Sequence, residues 1–217
     1  MNLVAVQGEV WWLARPDDIR PVKGLSIHDV LKRLQETFNF ASTPTALPER
    51  DQGFSFREGV FRRAGDSIVI KNMELYDDGV HLKVDSSTDD ADVVFAELRS
   101  IMLSMGAKPV DKPLLHYHVS TIICDFVNDI SDIVKDFVEL QGNISSRLDF
   151  AAQVGLRGLH FQADSSTLPP RAAKINPTMF RIEPRNDTPL AERRYFSIAN
   201  MVTDRHFEIL AMIDKKW

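Results

Sequence analysis

From Leu3 to Leu13 the chain is rich in Val and Trp and reads as a β-strand, with Gly8 a point where a missing side chain often marks a bulge. After Arg15-Pro16-Asp17-Asp18 the period changes. Val30, Leu31, Leu34 and Phe38 recur at helical spacing behind Ser26, and Asp29 makes a capping-box variant with that serine. This helix should end near Asn39. A connection through Pro44 and Pro48 leads to Phe54-Ser55-Phe56, Val60-Phe61 and Ser67 to Leu75, all β-like. Asp77-Asp78-Gly79 then tolerates the positive φ angles that a tight hairpin needs before Val80 to Asp85. A helix from about Asp89 to Met105 closes this half.

Gly106 to Pro113 holds two prolines and a glycine, which break any periodic element and mark a boundary. Beyond it the same order of elements recurs: a strand over Leu114 to Cys124, then a helix capped by Asn128 or Asp129 with Ile130, Ile133, Val134, Phe137, Val138, Ile144 and Leu148 on one stripe. Gly155 is read as the helix stop signal that closes that region, and strands follow over Leu159 to Ala163, Met179 to Glu183 and Arg194 to Ala199. The last helix reaches Trp217. Both halves end alike, a strand leading into Thr-Asp (Thr88-Asp89; Thr203-Asp204) and then a helical stripe, and threonine or aspartate before a helix accepts hydrogen bonds from first-turn amides. The expected fold is α+β: tandem β-α-β-β-β-α units over residues 1–106 and 114–217, joined by a linker at 107–113, with an antiparallel-rich sheet and helices packed on one face. The order of elements resembles the saddle topology of TATA-box-binding-type folds, which implies nucleic-acid binding as one reading.

Composition narrows the class. With 44% hydrophobic and 26% charged residues, the 217-residue chain can bury a core without disulfides. Its one cysteine, Cys124, sits in an apolar run and is expected to be buried and inert, which makes the cytoplasm the default location. The N-terminus meets Glu9 too early for a secretory apolar core, and no uncharged stretch approaches the roughly 20 residues that span a bilayer. The net charge of −5 weakens capture of phosphate backbones, although residues 171–217 carry nine Lys/Arg against six Asp/Glu.

Strand alternation predicts where chemistry could sit. In Leu114 to Cys124 the set Leu115, Tyr117, Val119, Thr121 and Ile123 is expected to face the core, leaving His116, His118 and Ser120 on the face turned away from the helices. The same parity puts His81 and His160 there, four of the six histidines. Two imidazoles at alternate strand positions can reach one metal ion, so His116, His118 and His160 are candidate ligands, with His81, Asp85 or Asp164 as helpers. Ser120 with His118, or the acids Asp85, Asp89, Asp90 and Asp92, could serve a hydrolase. Ser87 to Asp92 is more simply an acidic first turn favoured by the helix dipole. No glycine-rich phosphate loop, nucleophile elbow or paired Cys-x-x-Cys is present. Arg181, Arg185, Arg193 and Arg194 surround a Pro-containing connection, and planar guanidinium groups suit carboxylate or phosphate partners.

Subtraction then favours a non-catalytic cytoplasmic protein-binding or assembly subunit that needs no cofactor and holds another protein, or a second copy of itself, through the arginine region. A metal-assisted hydrolase or nuclease using the histidines is the alternative, and a nucleic-acid-binding saddle another.

Overall fold

The computed structural model describes residues 1–15, 27–44, 53–63, 65–110, 113–128, 158–162, 178–185, 187–189 and 192–216. Along the described residues the order is β1 (Asn2–Leu13), α1 (Ile27–Phe38), β2 (Phe54–Arg63), β3 (Asp66–Tyr76), β4 (Gly79–Val84), α2 (Thr88–Ser104), β5 (Leu115–Asp125), β6 (Leu159–Gln162), β7 (Thr178–Pro184), β8 (Arg194–Ala199) and α3 (Thr203–Lys216). The strands hydrogen-bond in the order β2-β3-β4-β1-β5-β8-β7-β6, an α+β architecture. The Ser26 cap, Pro48, the stripe from Ile130 to Leu148, Gly155, Asp164 and Trp217 lie outside the described residues. No described helix is long and apolar enough to cross a membrane.

Two compact units emerge, one of Val6–Ser120 with Asn200–Thr203, the other of Met1–Ala5, Thr121–Ala199 and Asp204–Trp217. In the first, β4 pairs antiparallel with β1 from Gly8↔Val84 to Leu13↔Gly79, and β3 pairs antiparallel with both β4 and β2. Val10 and Trp12 of β1, Ile70 and Met73 of β3, and Leu82 and Val84 of β4 join Val30, Leu34 and Phe38 of α1 and Val94, Phe95, Leu98 and Ile101 of α2 in one buried cluster. Phe38 packs 5.7 Å from Phe61, and Trp12 lies 5.8 Å from Phe95. Full burial of each such side chain contributes about 1.5–3 kcal/mol. Helix α1 stops where expected, because Asn39 takes the left-handed conformation (φ 46°) that its short polar side chain tolerates.

The start of α2 is built from four contacts. Ser87 Oγ accepts from the Asp90 amide at 3.3 Å. The Thr88 amide donates to Thr203 Oγ1 at 2.9 Å, the Thr203 amide donates to Thr88 Oγ1 at 2.9 Å, and the two hydroxyls lie 3.2 Å apart. Gly8 passes directly beneath: a Cβ there would sit 2.4 Å from the Ser87 carbonyl oxygen. Its register from Gly8 to Leu13 is unbroken, so glycine at this position serves a close approach of strand to helix start.

In the second unit β6, β7 and β8 are antiparallel, with Phe180 opposite Ala199 and Ile182 opposite Ser197. His206 of α3 meets this face, its ring 5.7 Å from Phe180 and its Nε2 2.8 Å from Ser197 Oγ. Near the end of α3, Asp214 accepts from the Val127 and Asn128 amides at 2.8 and 3.2 Å and pairs with the Met1 amino group at 2.6 Å.

The parity expected for β5 is reversed. His118 reaches Asp92 of α2, and the His116 ring lies 6.0 Å from Phe95 of the same helix. Ser120, Ile122 and Cys124, of the same parity, are fully buried. Tyr117 instead stacks on Trp11, whose other neighbour is His81, so His81 and Tyr117 occupy the face away from α2 while His116 and His118 do not. Counting apolar residues misassigned the strand because both parities are covered: Val119 and Thr121 are buried too. A half-polar strand in the sheet interior is oriented by the partners its polar groups find, here the Asp92 carboxylate.

Candidate metal centre

Alternation along β5 puts His116 and His118 side by side, their ring centroids 5.1 Å apart. On α2, Asp92 lies three residues before Phe95 and shares its stripe of the helix, and Phe95 packs against His116. His118 Nε2 lies 3.0 Å from Asp92 Oδ1 and 2.9 Å from Oδ2, and His116 Nε2 lies 3.9 Å from Oδ1. One ligand atom from each of the three residues falls within 4.8 Å of the other two. Donors bound tetrahedrally to zinc at 2.0–2.1 Å are separated by about 3.3 Å, so the set would contract on taking up one ion.

Electrostatics suits a neutral nitrogen ligand at His116. Burial, the neighbouring His118 and the Arg99 guanidinium together hold the His116 pKa below its ordinary 6.5, against the opposing pull of Asp92. A neutral imidazole keeps a lone pair for a cation. His118 is the most enclosed of the three side chains, at 17% exposure against 38% for His116 and 43% for Asp92, so a bound ion would be anchored from below and open above. On the flank of α2 an open hollow of about 440 Å³ is lined by Phe61, Arg63, Asp92, Val93, Ala96 and Glu97, with Asp92 on its rim.

The other sequence candidates lie elsewhere. His160 is exposed on β6 in the second unit, opposite Arg181 in the β6–β7 register. His81 is stacked on Trp11 at 3.9 Å, with Nε2 3.0 Å from Glu9 and Nδ1 3.3 Å from Glu74. Asp85 pairs with Lys71 at 2.8 Å and accepts from Gln7. The Ser120 hydroxyl is buried and has no hydrogen-bond partner among the described residues, so it forms no nucleophile–base pair with His118. Asp92, which the sequence offered only as a first-turn acid or a hydrolase carboxylate, is the residue that completes the set; its signal was a carboxylate at the start of the helix preceding the His-x-His strand.

The four arginines all find partners within the second unit. Arg181 Nη2 lies 3.5 Å from Glu183, and its guanidinium sits 5.6 Å over the Phe196 ring. Arg185 pairs with Asp187 at 2.6 Å, Arg194 grips Asp125 through two nitrogens at 2.7 and 3.1 Å, and Arg193 donates to the Val127 carbonyl. They share one end of the β7–β8 hairpin but do not converge on one point. Neither a protein-family model nor a curated protein sequence matches this chain.

Proposed function

We propose that the protein binds a divalent transition metal of the zinc class through Asp92, His116 and His118 and holds it as an open Lewis-acid centre. The observation that supports this is the approach of two imidazole nitrogens and one carboxylate oxygen to within 4.8 Å of one another. Two histidines and one carboxylate are a ligand set typical of catalytic zinc, where three protein ligands leave a fourth position for water or substrate. An exposed upper side fits such a position better than a closed structural site. In this reading the chain's own groups have separate tasks: His118 anchors the ion from the enclosed side, His116 supplies the second neutral nitrogen, and Asp92 lowers the net charge by one.

The test is metal analysis of full-length protein purified without chelator. About one zinc, manganese or cobalt ion per chain is expected, reduced severalfold in His116→Ala, His118→Ala and Asp92→Asn. A chain that acquires no metal at micromolar zinc, with melting temperature unmoved, would defeat the proposal.

A second reading, a cytoplasmic protein-binding or assembly subunit, draws on Arg181 and Arg185, whose ion pairs are half-exposed and could be exchanged for a partner's carboxylates. Pull-down with Arg181→Glu/Arg185→Glu tests it, and unchanged recovery of every partner would remove it.

A further inference from the structure

We infer that the hollow on the flank of α2 is a binding site for a small zwitterion with an apolar body, an aliphatic amino acid, held by Arg63 at its carboxylate and by Glu97 at its ammonium. On α2, Val93, Ala96 and Glu97 are neighbours at spacings of three and four, so they form one wall. Phe61 and Arg63 stand at alternate positions of β2 and therefore share a face. Phe61 packs 5.7 Å from Phe38 of α1, which fixes that face as the one bearing the helices. The hollow of about 440 Å³ that these residues line lies within the range of about 300–1,000 Å³ usual for small-ligand sites. All of them belong to the unit of Val6–Ser120.

The two charges select the ligand. Arg63 is exposed and Glu97 half-exposed, and neither side chain has an ion pair or hydrogen bond among the described residues, although both line the same hollow. They stand too far apart to neutralise each other, and a molecule carrying both signs would span the gap. A guanidinium presents a planar fork of donors that matches the two oxygens of a carboxylate, while the Glu97 carboxylate accepts from an ammonium. A simple anion would gain Arg63 but meet repulsion from Glu97, and a simple cation the reverse. Phe61, Val93 and Ala96 supply an apolar lining for the ligand's aliphatic part, which gains by leaving water. Asp92 on the rim is shared with the metal set, but Arg63 and Glu97 are not metal ligands and act without an ion.

The experiment titrates isotope-labelled full-length protein with L-leucine and follows the amide signals of residues 61–63 and 92–97 by NMR. Leucinamide, which lacks the carboxylate, and N-acetylleucine, which lacks the ammonium, are the controls. Leucine is expected to shift these signals saturably and each control to bind about tenfold more weakly or worse, as for loss of a hydrogen bond to a charged group. Arg63→Gln should abolish the advantage of leucine over leucinamide, and Glu97→Gln its advantage over N-acetylleucine, with melting temperatures unchanged because both side chains are at the surface. Signals that ignore leucine, equal responses to leucine and both controls, or variants that bind like the parent would each overturn the inference. Repeating the titration in EDTA separates the two sites: leucine binding that persists belongs to the hollow, whereas binding that vanishes belongs to a bound ion and overturns the inference. A chain that acquires no zinc leaves the hollow untouched, and a chain that binds no leucine leaves the metal proposal standing.

Discussion

The reciprocal pair Thr88–Thr203 allows a quantitative prediction. Replacing Thr88 by valine keeps the side-chain volume but removes the acceptor of the Thr203 amide and one end of the hydroxyl–hydroxyl contact. Both residues are almost fully enclosed, at 0% and 3% exposure, so water cannot reach the orphaned amide. Leaving a buried donor unpaired costs about 1–3 kcal/mol, and loss of the shared hydroxyl bond about 1 kcal/mol more. Thr203→Val removes the mirror-image set. Each single variant should therefore lose about 3 kcal/mol. The double variant loses both amide bonds but the shared hydroxyl bond only once, so its loss falls short of the sum by about 1 kcal/mol. For a chain of this size about 3 kcal/mol lowers the melting temperature by about 6–12 °C. Urea denaturation of the four proteins in the cycle is the assay, with Thr88→Ser and Thr203→Ser as controls that keep the hydroxyl. Valine variants within about 0.5 kcal/mol of the parent, or strictly additive losses, would refute the reasoning.

Three further outcomes follow from the same structure. Gly8→Ala puts a Cβ 2.4 Å from the Ser87 carbonyl oxygen and 2.5 Å from the Thr88 nitrogen, backbone atoms that cannot turn aside. It should cost about 2–3 kcal/mol in denaturant titrations, an overpacking effect. Burial alone would raise the pKa of Glu9, but His81 and Lys83 outweigh it and hold the carboxyl below its ordinary 4.5; Glu74 is likewise held low, by Tyr76, Asn72 and His81 against burial. A depressed folded-state pKa gives stability that is present above pH 4.5 and lost as pH falls through the folded values, so urea midpoints should drop below that pH and Glu9→Gln should flatten the drop. Cys124 is fully enclosed and burial pushes its thiol up to about 12, so a disulfide reagent at pH 8 should label it only after denaturant is added.

Element order was largely legible because most elements obey local rules. The Asp77-Asp78-Gly79 turn, the helix stop at Asn39 and the Thr-Asp helix starts all lie where the residue chemistry of turns and caps puts them. Phe54-Ser55-Phe56 and Val60-Phe61 read as separate β segments, yet they form one strand that continues through Glu58 with positive φ, a conformation no alternation pattern announces for glutamate. The candidate site was half legible. His116 and His118 share a face by strand geometry alone, but which face depends on non-local pairing, and the sequence placed them opposite Asp92. Trp11 and Trp12 divide between the two faces as alternation requires, Trp12 against Phe95 and Trp11 against His81 and Tyr117. The arginines were visible as residue types and Asp187 lies two residues from Arg185, while Asp125 and the Val127 carbonyl are partners that only the fold brings near.

Strand β1, which precedes the other described strands in the chain, lies in the interior of the sheet between β4 and β5. On the ribosome its β4 side can be satisfied once residue 84 has emerged, but its other row of amides and carbonyls must wait for residues 115–125. Throughout that interval the nascent chain presents a bare edge bearing Trp11 and Trp12, the kind of surface that recruits chaperones or seeds association between unfinished copies. Fragments that stop short of residue 115 would carry the same bare edge permanently, so a soluble expression unit needs β5 as well as the elements before it.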